Sequence, residues 1–339
     1  MNVLADRLAS GTILCAEGYL FECERRGYLQ AGAFVPEVVL EHPEVVAQLH
    51  RDFVNAGSDV VEAFTYYGHR GKLRVIGKED VLEPLNRQAL EIAGEVARST
   101  GALLAGNLSN TNVFEPTREA RAEVRAMFEE QVVWAAEAGV DYVIAETYSW
   151  LEEALIALEA IRDAELPAVV TFALHRTGRL RSGETPEEAC LRAEAAGADV
   201  VGLNCARGPA TMLPVLERIR PAVTCFVASL PVPYRTTEEQ PTMQSLVDPT
   251  RKEQPFPTAL DPFACTRYEM ADFARAANGL GVAYIGICCG AGPHHVRAVA
   301  EALGRKPPAS RYSPDMTLHS YLGTDQGISQ ANREYAGDL

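Results

Sequence analysis

A chain of 339 residues with a formal net charge of −15 and a pI near 5.0 carries no basic stripe that would neutralise the phosphates of a nucleic acid or an anionic membrane. With 47% hydrophobic residues and no apolar run long enough to span a bilayer, it is typical of a globular protein that acts on small molecules. The start lacks a secretory signal pattern, and eight scattered cysteines are too sparse for a disulfide scaffold, so we expect a cytoplasmic protein with neither nucleic-acid nor membrane partners.

Apolar runs rich in Val, Ile and Ala alternate along the chain with segments of helical periodicity. Eight such runs predict strands that are buried on both faces and therefore pair in parallel beneath covering helices. Eight strands that alternate with eight helices are typical of a single (β/α)₈ TIM barrel, an α/β fold with its active site at the carboxyl ends of the strands. The predicted strands are residues 12–20, 59–67, 102–110, 141–149, 167–175, 199–207, 222–230 and 283–290, and the predicted helices are residues 43–57, 81–101, 118–139, 151–165, 185–197, 210–220, 270–281 and 293–304.

Two segments fall outside this alternation. Residues 229–263 follow the seventh run, are rich in Pro, Thr and Gln and show no clear period, so we expect a long loop on the active-site face. The residues after Gly304 predict a short irregular extension that covers the barrel or reaches a partner subunit of a homo-oligomer. The expected organisation is a barrel domain over residues 1–305 and a C-terminal extension over residues 306–339.

Three cysteines stand at the carboxyl ends of predicted strands. Cys205 ends the sixth run, and Cys288 and Cys289 end the eighth, so a barrel would bring all three to its mouth. Neighbouring side chains on a strand point to opposite faces, which makes adjacent thiols a poor way to fill a core. Three converging thiolates form a soft ligand set suited to zinc, with a fourth position left for water or substrate. The spacing leaves buried apolar thiols, a vicinal disulfide and a lone nucleophile open as alternatives, and the other five cysteines are expected to pack in the core.

The stretches GLNC and GICCG that hold these cysteines occur together with IAET at the end of the fourth run and EHPEVVAQLHRDFVNAGSDVVEAFTYY near the start. This combination resembles the zinc-dependent homocysteine S-methyltransferase family, and most strongly its betaine-homocysteine S-methyltransferase branch, over roughly residues 10 to 305. The resemblance implies that Cys205, Cys288 and Cys289 bind zinc. It further implies that a methyl group moves from an onium donor to the zinc-bound sulfur of homocysteine, giving methionine.

The resemblance also implies roles for residues around the cysteines. Glu146 in IAET matches the acidic position that holds the amino group of homocysteine, and we expect it to be needed for catalysis; the alternative is a carboxylate that only starts the next helix. Tyr67 matches an aromatic position of the methyl-donor pocket, with packing at the rim as the alternative. Asn204 is expected to fix the ligand loop by hydrogen bonds. The expected substrate-binding set is Glu17, Gly18, Phe34, Tyr66, Tyr67, Glu146, Thr147 and Asn204.

The chain departs from the family pattern at several positions. Ala16 and Glu17 stand where the family has the first two residues of an Asp-Gly-Gly turn, which moves an acidic group by one residue. Ile287 replaces a common Gly beside the ligands. Phe34 and Thr147 stand where the betaine branch carries Trp and Tyr, so less aromatic surface is offered to a quaternary ammonium. We therefore expect a sulfonium donor to be used better than betaine, with another methylated amine as an open alternative.

Other functions remain open at this point. A barrel lyase or aldolase would use a Lys Schiff base, which is disfavoured because none of the eight strand runs contains Lys. A non-catalytic or redox-sensing zinc-binding barrel of the same family is compatible with the departures, and so is a methyltransferase for a different thiol. Metal content and turnover with homocysteine distinguish these functions.

Overall fold

The centre of the molecule is a sheet of eight parallel strands, described in a computed structural model over residues 2–250 and 254–339. The strands hydrogen-bond in the order first, eighth, seventh, sixth, fifth, fourth, third and second, so consecutive strands are neighbours around a nearly closed barrel. Each strand overlaps one predicted run, which confirms the α/β barrel fold class. The strands are β1 (Ile13–Ala16), β2 (Val60–Glu62), β3 (Leu103–Ser109), β4 (Tyr142–Tyr148), β5 (Ala168–Phe172), β6 (Val200–Asn204), β7 (Phe226–Leu230) and β8 (Tyr284–Ile287).

Helices cover the outside of the sheet, and all eight predicted helices are present. Five further short helices occur among the described residues, before β1, in the connections after β1 and β2, and near the end of the chain. The helices are α1 (Val3–Ser10), α2 (Tyr19–Arg25), α3 (Val38–Glu41), α4 (Pro43–Ala56), α5 (Arg70–Val75), α6 (Leu82–Thr100), α7 (Arg118–Glu137), α8 (Leu151–Asp163), α9 (Pro186–Ala195), α10 (Pro209–Ile219), α11 (Arg267–Gly279), α12 (Pro293–Ala302) and α13 (Gln330–Tyr335). Within the part of the chain that the structure describes, none of them is both long and apolar enough to cross a membrane.

Helix α11 begins earlier than its apolar pattern predicts. The periodicity starts at Met270, whereas the helix starts at Arg267. Thr266 is the reason: its Oγ1 accepts the backbone N–H of Glu269 at 3.2 Å, and the Glu269 carboxylate accepts the backbone N–H of Thr266 at 2.7 Å. This reciprocal capping satisfies two donors that the first helical turn leaves free, so the helix gains a turn that carries little apolar signal.

The seam between β1 and β2 closes the barrel with few ladder bonds. The backbone N–H of Asp59 donates to the carbonyl of Leu14 at 2.7 Å, and the Asp59 carboxylate accepts the N–H of Leu14 at 2.8 Å. The hydroxyl of Ser58 lies 3.3 Å from both the Leu14 carbonyl and the N–H of Ala16. Two side chains thus replace part of a strand ladder, which satisfies the buried backbone groups of β1 at this edge.

The predicted long loop spans residues 231–266, between β7 and α11. Its first residues pack under the mouth of the barrel, where the side chains of Val232 and Tyr234 are fully buried. Part of the predicted loop, residues 251–253, lies outside the described residues.

The chain beyond residue 305 forms short helical turns and α13 beside the barrel. It leaves large apolar side chains exposed, among them Met316, Leu318 and Leu322 at 56%, 64% and 59% of their surface. The division into two domains and the homo-oligomer both remain predictions.

Candidate active site

The three cysteines at the mouth of the barrel lie close together. Their Sγ atoms are all within 4.8 Å of one another, although Cys205 follows β6 and the other two follow β8. Cys205 and Cys288 are buried, with 6% and 2% of their surfaces exposed, and Cys289 is partly exposed. The cluster therefore opens toward solvent on the Cys289 side, as a site with a free fourth position requires.

Backbone hydrogen bonds to the last residue of β7 and to the residue that follows it fix both cysteine loops. The N–H of Cys205 donates to the carbonyl of Leu230, and the N–H of Cys288 donates to the carbonyl of Pro231, each at 2.9 Å. Cys205 itself has a φ of 56°, a left-handed conformation that is uncommon for a residue with a side chain. Such backbone strain persists only where the surroundings hold it, and it is often found at functional sites.

The thiols interact with one another through hydrogen bonds. Those made with Cys288 and Cys289 lower the pKa of the Cys205 thiol well below its ordinary value, and the same bonds with Cys205 hold the pKa of the other two thiols above it. These shifts favour the thiolate form at Cys205 and the thiol form at the other two cysteines. A lowered thiol pKa favours metal binding, because a metal ion binds deprotonated sulfur.

Three buried carboxylates lie beside the thiols, from Glu17 after β1, Glu62 on β2 and Glu146 on β4, with 6%, 2% and 3% of their surfaces exposed. One oxygen of Glu17, one of Glu146 and the sulfur of Cys288 lie within 4.8 Å of one another. Burial raises the pKa of Glu146 to about 7 and raises the pKa values of Glu17 and Glu62, which the charge of Glu146 raises further. These directions follow from the burial of the carboxylates in a low dielectric and from the charges close to them.

Two asparagines connect the carboxylates. The Nδ2 of Asn107 on β3 donates to Glu62 and to Glu146, both at 2.6 Å. The Nδ2 of Asn204 at the end of β6 donates to Glu146 and, at 2.9 Å, to the hydroxyl of Thr147. The Oδ1 of Asn204 accepts the backbone N–H of Thr147 at 2.9 Å. The network holds the Glu146 carboxylate at a bulge of β4, where Thr147 has a φ of 65°.

A pocket runs from the cysteines to these carboxylates. Tyr66 contributes an aromatic wall, and its ring centroid lies 4.4 Å from that of Tyr67. The Nζ of Lys72 on α5 lies 4.2 Å from the centroid of the Tyr67 ring. The described residues that line the pocket are Glu17, Tyr19, Leu20, Glu62, Ala63, Phe64, Tyr66, Asn107, Glu146, Cys288 and Cys289.

The family model of the homocysteine S-methyltransferases matches residues 14–303 of this chain. The chain belongs to this family. It is therefore a homocysteine S-methyltransferase, as the sequence motifs predict, and the Schiff-base lyase is set aside.

The names of similar proteins include more than one methyl donor. The chain is 36% identical to betaine-homocysteine S-methyltransferase 1 of Xenopus tropicalis over 321 residues, which cover 91% of this chain and 78% of that protein. It is 34% identical to an S-methylmethionine-homocysteine S-methyltransferase of Pongo abelii over 347 residues, which cover 99% and 92%.

Among solved structures, the metallated form of the homocysteine methyltransferase MmuM from Escherichia coli resembles the fold. Its TM-score is 0.69 at 18% identity, with 88% of this chain and 99% of that chain covered.

The other predicted site residues of this methyltransferase have different positions. Gly18 lies against the loop after Cys289, where an added Cβ would be 2.4 Å from the carbonyl oxygen of Ala291, so its lack of a side chain permits this close approach. Phe34 has a φ of 54° and packs on Phe21, with ring centroids 5.9 Å apart. Neither Gly18 nor Phe34 is among the described residues that line the pocket.

Sequence reasoning missed Glu62 and Asn107. Both stand inside apolar runs, in VVEAF and AGNLS, where a charged or amide side chain is out of place in a core. That contrast is the signal that could have identified them. Their role depends on the barrel, because it requires β2, β3 and β4 to point these side chains at one another.

Proposed function

We propose that this protein transfers a methyl group from an onium donor to the thiolate of homocysteine in a zinc-dependent reaction that gives methionine, with a sulfonium compound as the preferred donor. The observation that carries the proposal is the convergence of three cysteine sulfurs within 4.8 Å beside buried carboxylates at the mouth of the barrel. Family membership defines the acceptor class, whereas the metal and the donor are inferred from the residues present.

The cysteine cluster fits zinc. Cys205, Cys288 and Cys289 offer three soft ligands, and the partial exposure of Cys289 leaves an approach for a fourth. Asn204 lies behind them with its Nδ2 at 4.0 Å from the sulfur of Cys288, as an outer group that steadies a ligand. When bound, zinc would supply a Lewis-acidic centre that keeps a coordinated substrate thiol deprotonated at neutral pH.

The carboxylates suit the amino group of homocysteine. Glu146 and Glu17 stand within 4.8 Å of the sulfur of Cys288, and no Lys, Arg or His is among the described residues that line the pocket. An ammonium group would bring the positive charge that these carboxylates lack and would tether the acceptor with its sulfur at the cysteines. We assign Glu146 to acceptor binding and therefore to catalysis through positioning.

The methyl transfer needs little from acid or base groups. The acceptor sulfur forms a new S–C bond with a lone pair while the bond between the methyl group and the donor breaks, and that electron pair stays on the donor. The donor loses its positive charge and leaves as a neutral thioether or amine group. Aromatic faces stabilise the onium before transfer, and here Tyr66 lines the pocket.

The contacts of Thr147 support a sulfonium donor. The hydroxyl of Thr147 donates to Glu146 at 3.2 Å and accepts from Asn204, so this position serves the polar network and presents no ring. Phe34 is a weaker cation binder than Trp. A sulfonium is intrinsically the more reactive methyl source and depends less on such binding.

The experiment is a donor panel with homocysteine and zinc-loaded protein, read out as methionine. Glycine betaine, S-methylmethionine and a dimethylsulfonio carboxylate would be compared at equal concentration, with zinc-stripped protein as the control. We expect methionine from the sulfonium donors at a higher rate than from betaine. Betaine as the best donor would overturn the donor assignment, and no methionine from any donor would overturn the proposed function.

A further inference from the structure

The pocket below the cysteines contains more acidic groups than the acceptor amine requires. Glu17, Glu62 and Glu146 all line it, and the described lining residues include no cationic side chain. Buried carboxylates without a cationic partner are costly, so a site of this kind favours a positively charged ligand. Glu62 is the most deeply buried of the three, with 2% of its surface exposed, and its carboxylate accepts a hydrogen bond from Asn107.

The buried atoms of the pocket that lack hydrogen-bond partners indicate the kind of ligand. Among its buried atoms, the hydroxyl of Tyr19, which can donate or accept, has no hydrogen-bond partner. The same is true of two acceptor oxygens, Oε1 of Glu17 and Oδ1 of Asn107. Both are acceptors, and unpaired buried acceptors disfavour a ligand group that only accepts. An ammonium group offers three donors and no acceptor, which matches the shortage of hydrogen-bond donors in the pocket.

Glu62 adds to the negative charge of the pocket and to its shortage of hydrogen-bond donors. It adds a carboxylate within 4.8 Å of that of Glu17, and it accepts one Nδ2 hydrogen of Asn107 while Glu146 accepts the other. The two bonds fix the amide group, and the Oδ1 of Asn107 is left unpaired in the wall of the pocket. Loss of the Glu62 charge would thus weaken the site for a cation.

We propose that Glu62 is a third acceptor-binding carboxylate and that it makes the enzyme selective for aminothiols, that is, thiols that carry a protonated amine. The inference rests on the proposed function, because it concerns the thiol that receives the methyl group. The selectivity comes from charge repulsion, because three carboxylates repel an acceptor whose only charged group is a carboxylate.

The test measures binding to zinc-loaded protein by calorimetry with three thiols of similar length. Homocysteine carries both charged groups, 3-aminopropane-1-thiol only the amine, and 4-mercaptobutanoate only the carboxylate. We expect the native protein to bind both amines at least about tenfold more tightly than 4-mercaptobutanoate. Glu62→Gln should weaken both amines about tenfold and leave 4-mercaptobutanoate unchanged or tighter, with zinc content unchanged.

Glu153→Gln is the matched control. Glu153 is equally buried, but its carboxylate accepts from the N–H and the hydroxyl of Thr111, at 2.7 and 2.6 Å, and does not line the pocket. This variant should bind all three thiols as the native protein does. Gln at position 62 keeps an oxygen acceptor for Asn107, and the discrimination by the native protein tests the proposal even if the variant fails to fold.

The outcomes separate this inference from the proposed function. Equal homocysteine affinity in the native and Glu62→Gln proteins, or equal binding of amine and carboxylate thiols by the native protein, would overturn the role of Glu62. If the native protein still makes methionine in the donor panel, the proposed function stands in that case. A native protein that neither binds homocysteine nor makes methionine would overturn both.

Discussion

At the scale of single residues, the cysteines differ by their surroundings rather than by their chemistry. Cys205 and Cys288 lie in the three-thiol cluster, whereas Cys225 is half-buried beside Glu194, away from it. We expect close to one zinc per chain in the native protein and the loss of most of it in Cys205→Ala and Cys288→Ala, because two thiolates hold zinc far less well than three. Cys225→Ala should retain the metal. Elemental analysis of purified proteins checks this, and equal zinc in all variants would contradict the site.

The donor position gives a second residue-scale prediction. Phe34→Trp enlarges the aromatic face without removing a hydrogen bond and should improve betaine binding by about twofold to thirtyfold, the range that about 0.5 to 2 kcal/mol of cation–π stabilisation allows. Thr147→Tyr should not help, because it alters the residue that bonds to Glu146 and Asn204. Steady-state kinetics with betaine as the varied substrate measures both variants. An unchanged KM for betaine in Phe34→Trp would show that the methyl donor does not bind beside this residue.

At the scale of elements, the cap of α11 ties a helix to the long loop. The Arg235 guanidinium and the backbone N–H and hydroxyl of Thr266 lower the pKa of Glu269 to about 2, and the Arg235 contacts are both 2.7 Å. A lowered carboxyl pKa contributes stability that is present above the ordinary carboxyl range and is lost as pH falls toward 2. The groups are about half exposed, so solvent screens the pair.

We expect Thr266→Ala to lower the free energy of unfolding by about 1 kcal/mol at pH 7. Thr185→Ala, which removes a similar reciprocal cap from α9, is the comparison because no Arg from the long loop joins that cap among the described residues. Urea unfolding measures both. A Thr266→Ala protein as stable as the native one would show that the cap does not hold the end of the loop.

At the scale of the whole molecule, buried histidines affect the response to acid. Burial lowers the pKa of His50 to about 3 and of His69 to about 4, and neither ring nitrogen of His50 has a partner. Below about pH 6.5 the unfolded chain takes up protons that the folded one refuses, so stability falls as pH falls. The raised pKa of Glu146 acts in the opposite direction, since its contribution is lost as pH rises through about 7.

A variant isolates the histidine effect from the carboxylates. We expect the stability of the native protein relative to His50→Leu to fall by roughly 2 kcal/mol between pH 7 and pH 5. Urea unfolding of both proteins at several pH values gives this difference directly. A difference that does not change with pH would mean that His50 takes up its proton as readily in the folded chain as in the unfolded one.

Local chemistry written in the sequence determined the barrel and the position of the thiols. Eight apolar runs bounded by helical periodicity require parallel pairing, and Cys205, Cys288 and Cys289 stand at strand ends that a barrel must bring together. These are properties of spacing and burial, which a sequence records. Helix ends were less predictable, as at α11, because caps such as Thr266 carry no apolar period.

Only the tertiary structure decided what surrounds the thiols. The bonds of Asn107 to Glu62 and Glu146 join three strands, and the contact of Gly18 with Ala291 joins the loops after β1 and β8. Such partners are distant in the chain, and their distances depend on how the closed sheet places each side chain. A charged residue in an apolar run can be recognised as unusual from the sequence. Its role can be inferred only from the barrel, which determines the neighbours that pair with it or leave it unpaired.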